Sequence, residues 1–154
     1  MNPYFTLGLV ALIFIVTLLC SRQSHKMPEP EPMVADPDTP ILGGDGVLVE
    51  DLRIEVPEGR TVVVLPEGAP AQSRGWHVFS TEKKHQEFID FKLYRGKSEM
   101  AADNTFIGEY RIFGIPRGRA GIPQIQARFM VTDDAIEVAA QDLKRRANMT
   151  LKKL

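Results

Sequence analysis

Strict two-residue alternation, broken by glycine and proline, is the strongest constraint on this chain. In residues 87–94 (EFIDFKLY), Ile89, Phe91 and Leu93 point one way and Asp90 and Lys92 the other. Residues 106–113 are aromatic-rich and β-prone. Pro123 opens a third run, with Ile125, Ala127, Phe129 and Val131 on one face. Polar residues 100–104 (MAADN) separate the first run from the second, and a Gly/Pro-punctuated loop, 114–121, separates the second from the third. A helical period of 3.6 fits none of these runs, so the stretch 94–129 predicts a sheet with long turns.

The same reading extends in both directions. Leu52, Ile54 and Val56 share a face in a strand predicted over 47–56, and 57–59 (PEG) is a turn. Further strands are expected at 61–65, 75–81, 86–94, 135–140 and 147–153, with turns at 82–85 and 133–134 and a loop at 66–75. About eight short strands with turn-rich joints predict an all-β fold, an antiparallel β-sandwich over residues 47–154. A hydrophobic content of 44% is enough to fill one such core. The formal net charge of -1 gives no reason to expect a nucleic-acid partner. Charge is unevenly spread, however: 27–50 is acidic, and the end of the chain from Lys144 is basic.

The N-terminal part is of a different kind. Residues 1–21 carry no charged side chain, and 4–20 (YFTLGLVALIFIVTLLC) are almost wholly apolar. As a helix such a run reaches roughly 26–30 Å, the thickness of a bilayer core. The basic residues Arg22, His25 and Lys26 follow it, which favours an uncleaved single-pass anchor over 1–26 with the folded part on the cytoplasmic side. A periplasmic or other extracytoplasmic location is the alternative, as is a cleaved or lipidated signal using Cys20. Residues 27–46 read as a flexible, Pro-rich acidic linker, with five prolines and four acids in 27–40 and a glycine-rich joint at 41–46.

Catalytic chemistry finds little support. His77 sits in a strand pattern and His85 in a turn, with no nucleophile or oxyanion arrangement beside either. Two histidines and no cysteine in the folded part make a poor metal set, and Gly43-Gly44-Asp45-Gly46 lacks the Lys-Ser/Thr of a phosphate loop. The reading is therefore non-enzymatic, with no cofactor and no metal. Arg117 and Arg119 read as solvated loop charges, with contact to a partner or phospholipid as the alternative.

The ordered set RG-x4-AADN-x3-G, a short strand, a Gly/Pro turn and G-I-P-Q-I resembles the β-sandwich substrate-binding domain of the heat-shock protein 70 (DnaK-type) chaperones. Val78-Phe79-Ser80-Thr81 upstream and Ile136-Glu137-Val138 with Gln141-Asp142 downstream agree in order and spacing. That resemblance implies a channel holding an extended peptide by its main chain, with one apolar pocket. It puts the pocket on Ile54, Val56, Phe79, Ile89, Phe91 and Ile125, and a main-chain contact on Gln86. Two positions that arch over the peptide in the family fall on Pro57 and Glu82, and a buried unpaired carboxylate there would be costly. Either the arch is open, or Glu82 favours basic peptides, or the channel is unused. The chain ends at the last expected strand, so the helical lid and ATPase domain of the family are not expected in it. Two functions follow as expectations. One is a membrane-tethered, non-catalytic module for unfolded or extended hydrophobic segments, with an ATPase or J-domain protein acting separately. The other is an assembly module that keeps the sandwich without the channel.

Overall fold

The computed structural model describes residues 31–34, 41–132 and 135–154. The expected anchor, most of the linker and the Asp133-Asp134 turn lie outside the described residues. Among the described residues no helix is long and apolar enough to cross a membrane. The fold is all-β, as the alternation predicts. Its strands are β1 (Glu31–Val34), β2 (Leu52–Val56), β3 (Arg60–Leu65), β4 (Arg74–Ser80), β5 (Phe88–Arg95), β6 (Thr105–Phe113), β7 (Gln124–Val131), β8 (Ala135–Asp142) and β9 (Ala147–Lys153).

All pairings are antiparallel, in the order β3-β2-β5-β6-β9-β8-β7-β4, with β1 added beside β8. Two layers share one strand. The first half of β9 pairs β8 (Ala147↔Asp142), and its second half pairs β6 (Leu151↔Ile112). The alternating positions of β5 and β7 supply the core. Leu93, Ile112, Ile125 and Ala127 are wholly buried, and Phe91 meets Phe129 edge-on at 5.9 Å between ring centroids. Such rings are the main stabilising content of a core this size, each burying about 150–250 Å². At the far edges of the path, β3 and β4 come together without a ladder. Gly75 lies against the Val64 carbonyl so closely that a Cβ would overlap it, so glycine is the only residue that fits the seam.

Three boundaries differ from the sequence reading. The first strand starts at Leu52, because residues 47–51 form turns and single bridges (Leu42↔Leu48, Val47↔Pro70). The expected joint 41–46 is packed onto the sandwich: the Gly43 N–H donates to the Val47 carbonyl at 2.8 Å, and Ile41 and Leu42 lie against the core. Within the expected linker, Glu31–Val34 pairs with β8 from Val138 to Ala135. This half of the β8 edge is free because β9 departs toward β6 after Ala140, and backbone pairing needs no apolar side chains. Composition therefore gave no sign of it.

A cleft where two strands part

β2 and β5 pair only from Leu52↔Arg95 to Ile54↔Leu93. Beyond Ile54, β2 turns away toward β3, while β5 continues for five more residues toward Phe88, held on its other side by β6. One backbone edge of β5, residues 88–92, is thereby left without a ladder partner among the described residues. Its groups face a cleft of about 610 Å³. The walls are the end of β2 with Pro57, the second half of β4 from His77 to Ser80, and the 82–86 loop; the floor is Ile89 and Phe91.

Local sequence explains the walls. The β2–β3 turn is tight: Glu58 and Gly59 have φ of 70° and 69°, which glycine adopts freely and glutamate at some cost. The turn therefore stands clear of β5 and leaves Pro57 exposed at the rim. On β4, alternation puts His77 and Phe79 on the inner face, opposite Ala127 and Ile125 of β7. Their rings meet edge-on at 4.8 Å, and Phe79 stacks on Phe91 at 5.1 Å, which in turn stacks on Tyr110 at 5.4 Å. Partial burial in this aromatic wall lowers the His77 pKa, since desolvation disfavours the imidazolium.

The structure brings together Val56, Pro57, Phe79, Glu82, Gln86, Ile89 and Phe91 of the residues expected at the site. Ile54 and Ile125 are not in the cleft wall. Both are wholly buried in the core cluster that also holds Phe91 and against which Phe79 packs. Gln86 does not present a free amide. Its Oε1 accepts the N–H groups of Glu82 and Lys83 at 3.0 and 3.3 Å, and its Nε2 donates to the Phe88 carbonyl at 2.8 Å. That last bond marks the Phe88 carbonyl as facing away from β6. Because backbone direction alternates along a strand, Asp90 and Lys92 present their main-chain groups to the same free edge. Glu82 is exposed, so its carboxylate keeps its water and incurs no burial cost.

Several wall residues were not foreseen. Glu55, Lys92, Asp90 and Glu109 reach the cleft although alternation puts them on the outer face of their strands. Where β2 and β5 separate, the outer face becomes a side wall, and no one-dimensional pattern signals such a separation. Glu55 closes the inner end of the slot: it lies 3.3 Å from Lys92 Nζ and accepts the Tyr94 hydroxyl at 2.9 Å. Burial first, and then that carboxylate, push the Tyr94 pKa up to about 12. Asp90 is held by Arg111 through two bonds of 2.7 Å, and the guanidinium lies 3.9 Å over the Phe88 ring. Nothing in this wall pairs a nucleophile with a base. It is a slot with an aromatic floor, a bare main-chain edge and charged sides.

The chain is thus an antiparallel β-sandwich with a slot between its end loops. The Hsp70 protein family model matches residues 47–153, and the chain belongs to the Hsp70 family. It is 35% identical over 106 residues to the chaperone protein DnaK of Thermosipho africanus, an alignment covering 66% of this chain and 18% of that protein. It is 33% identical over 106 residues to DnaK of Thermotoga maritima, again 66% and 18%, and 33% identical over 92 residues to dnaK1 of Prochlorococcus marinus, 59% and 14%. The chain thus spans under a fifth of the length of these relatives.

Proposed function

We propose that the slot takes an extended apolar polypeptide segment as an added strand on the free edge of β5. The supporting observation is the unpaired run 88–92 beside an aromatic floor. Main-chain bonding to 88, 90 and 92 would be indifferent to sequence, while Phe79, Ile89 and Val56 would receive one apolar side chain. Gln86 is the switch in this scheme, because it now occupies the Phe88 carbonyl that an incoming N–H would use. Displacing it costs one hydrogen bond and returns one. Unfolded or nascent chains are the natural source of such segments, and the kinship with chaperones named DnaK supports that source. On this reading the protein is a non-catalytic module, held at a membrane through residues 4–20 with its sandwich in the cytoplasm. Any ATPase or J-domain protein would act on it in trans.

The test is fluorescence anisotropy of a labelled Leu-rich heptapeptide against the chain. Binding is expected, weakened at least tenfold by Phe79→Ala and by Asp90→Pro, which removes a main-chain donor from the free edge and none from the β6 ladder. A folded protein that ignores the peptide at millimolar concentration would sink the proposal. One observation favours the assembly-module reading instead: Ile54 and Ile125, both expected in the pocket, are completely buried and do not line the cleft. A stoichiometric partner whose binding is untouched by Phe79→Ala would support it.

A further inference from the structure

The connections of the sandwich gather at two ends. Turn 57–59 and loops 81–87, 114–123 and 143–146 lie at the end where the cleft opens, and loops 66–73 and 96–104 leave from the other. At the cleft end three loops are tied into one platform. Gly121 N–H donates to the Thr81 carbonyl at 2.8 Å, His85 N–H to the Gly118 carbonyl at 2.9 Å, and Leu143 N–H to the Gln124 carbonyl at 3.0 Å. This platform exposes Lys83, Lys84, Arg117, Arg119, Lys144, Arg145 and Arg146. Among these, Arg145 alone has an ion-pair partner among the described residues, Asp142 at 3.9 Å. Two aliphatic tips stand out between the cations, Ile122 at 60% and Leu143 at 41% exposure. Glu82, which lines the cleft, and Glu87 are the acids of the same loops, and Glu58 of the 57–59 turn is exposed at this end as well.

We infer that this platform is a docking surface for an anionic phospholipid bilayer. Three observations favour a bilayer over an acidic protein. The cations share their loops with the exposed aliphatic side chains Ile122 and Leu143, a combination suited to dipping apolar tips between headgroups while lysines and arginines reach the phosphates. The cations belong to separate loops, a spread suited to a planar, diffuse charge. The chain direction agrees as well. β1 pairs Glu31 with Val138 and Val34 with Ala135, so β1 runs away from the cationic end. The apolar run 4–20 is part of the sequence upstream of it.

The experiment uses the full chain with Cys20→Ser and an environment-sensitive fluorophore at Ile122→Cys, with a second labelled chain at Glu67→Cys as the control on the other end. Each is reconstituted in phosphatidylcholine vesicles, with or without phosphatidylglycerol, both containing a headgroup-level quencher lipid. The label at 122 is expected to be quenched only in anionic vesicles and released by salt, with the label at 67 unaffected. Neutralising Lys144, Arg145 and Arg146 to glutamine should lower the docked-to-undocked ratio by roughly a hundredfold, at about one headgroup attraction per cation. Equal quenching at both positions, or in both kinds of vesicle, overturns the inference. So does protection of position 122 by soluble polyglutamate without any response to anionic vesicles, which would assign the surface to an acidic polypeptide. Phe79→Ala leaves this readout unchanged, so failure of the cleft and failure of the platform are separable.

Discussion

The two ends of the sandwich handle charge in opposite ways. At the end away from the cleft, charges are consumed internally. Asp51 accepts the Glu67 N–H at 2.8 Å and pairs with the buried Arg53 at 2.9 Å, whose Nε donates to Thr61 Oγ1 at 2.8 Å. The Thr61 hydroxyl donates in turn to the Ser98 carbonyl at 2.9 Å, and Lys97 meets Glu67 at 2.6 Å. Asn104 holds the 96–104 loop from within, accepting from Ser98 N–H and donating to the Ser98 and Met100 carbonyls. At the cleft end, loops are joined mainly through the backbone, and their cations are left to solvent. Charges that a fold needs become paired and partly buried, whereas charges kept for a partner stay hydrated until it arrives.

This contrast can be broken by mutation. The largest effect is expected for Asp51→Ala, which strands the Arg53 guanidinium and frees the 66–68 turn. Loss of about 3 kcal/mol in urea unfolding is the expected outcome. A loss under about 1 kcal/mol would mean that the network is decoration. Asn104→Ala should cost about 2 kcal/mol, because the Ser98 N–H loses its acceptor and the Ser98 and Met100 carbonyls each lose one donor, and should leave peptide affinity unchanged once the protein is folded. A change in affinity would tie the 96–104 loop to the cleft and erase the separation between the ends.

His77 sharpens the comparison from the cleft side. Its folded pKa lies below the ordinary 6.5 because of burial, so the unfolded chain takes the proton first. Its contribution to stability is complete above about 6.5 and is lost as pH falls through the lower folded value. The urea midpoint should drop between pH 7.5 and 5.5. The part of that drop removed by His77→Gln measures the effect, and an unchanged slope would sink it. The smallest effect is expected for Lys83, Lys84 and Lys144 changed together to glutamine. Stability should move by less than about 0.5 kcal/mol, since none of the three has an ion-pair partner among the described residues. A clear loss would show that the cations hold the loops together.

The sequence pattern carried the architecture far. Alternation in 87–94 and 123–132 predicted β5 and β7 and their inner faces, and Gly/Pro clusters predicted most turns. The AADN motif, which carried much of the resemblance, is structural: Ala101 is buried and Asn104 staples its loop. Other features were not legible. β1 lies in a proline-rich acidic stretch, and its pairing depends on an edge that exists only because β9 crosses between layers.

The residues alone determined which side chains could face inward and where the chain had to turn, because a period of two and the backbone demands of glycine and proline are local. Tertiary structure decided where β2 leaves β5, which of the inward residues became cleft floor and which became core, and which charges met a partner. Those outcomes depend on strands far apart in sequence arriving at one edge, a distance that alternation cannot encode.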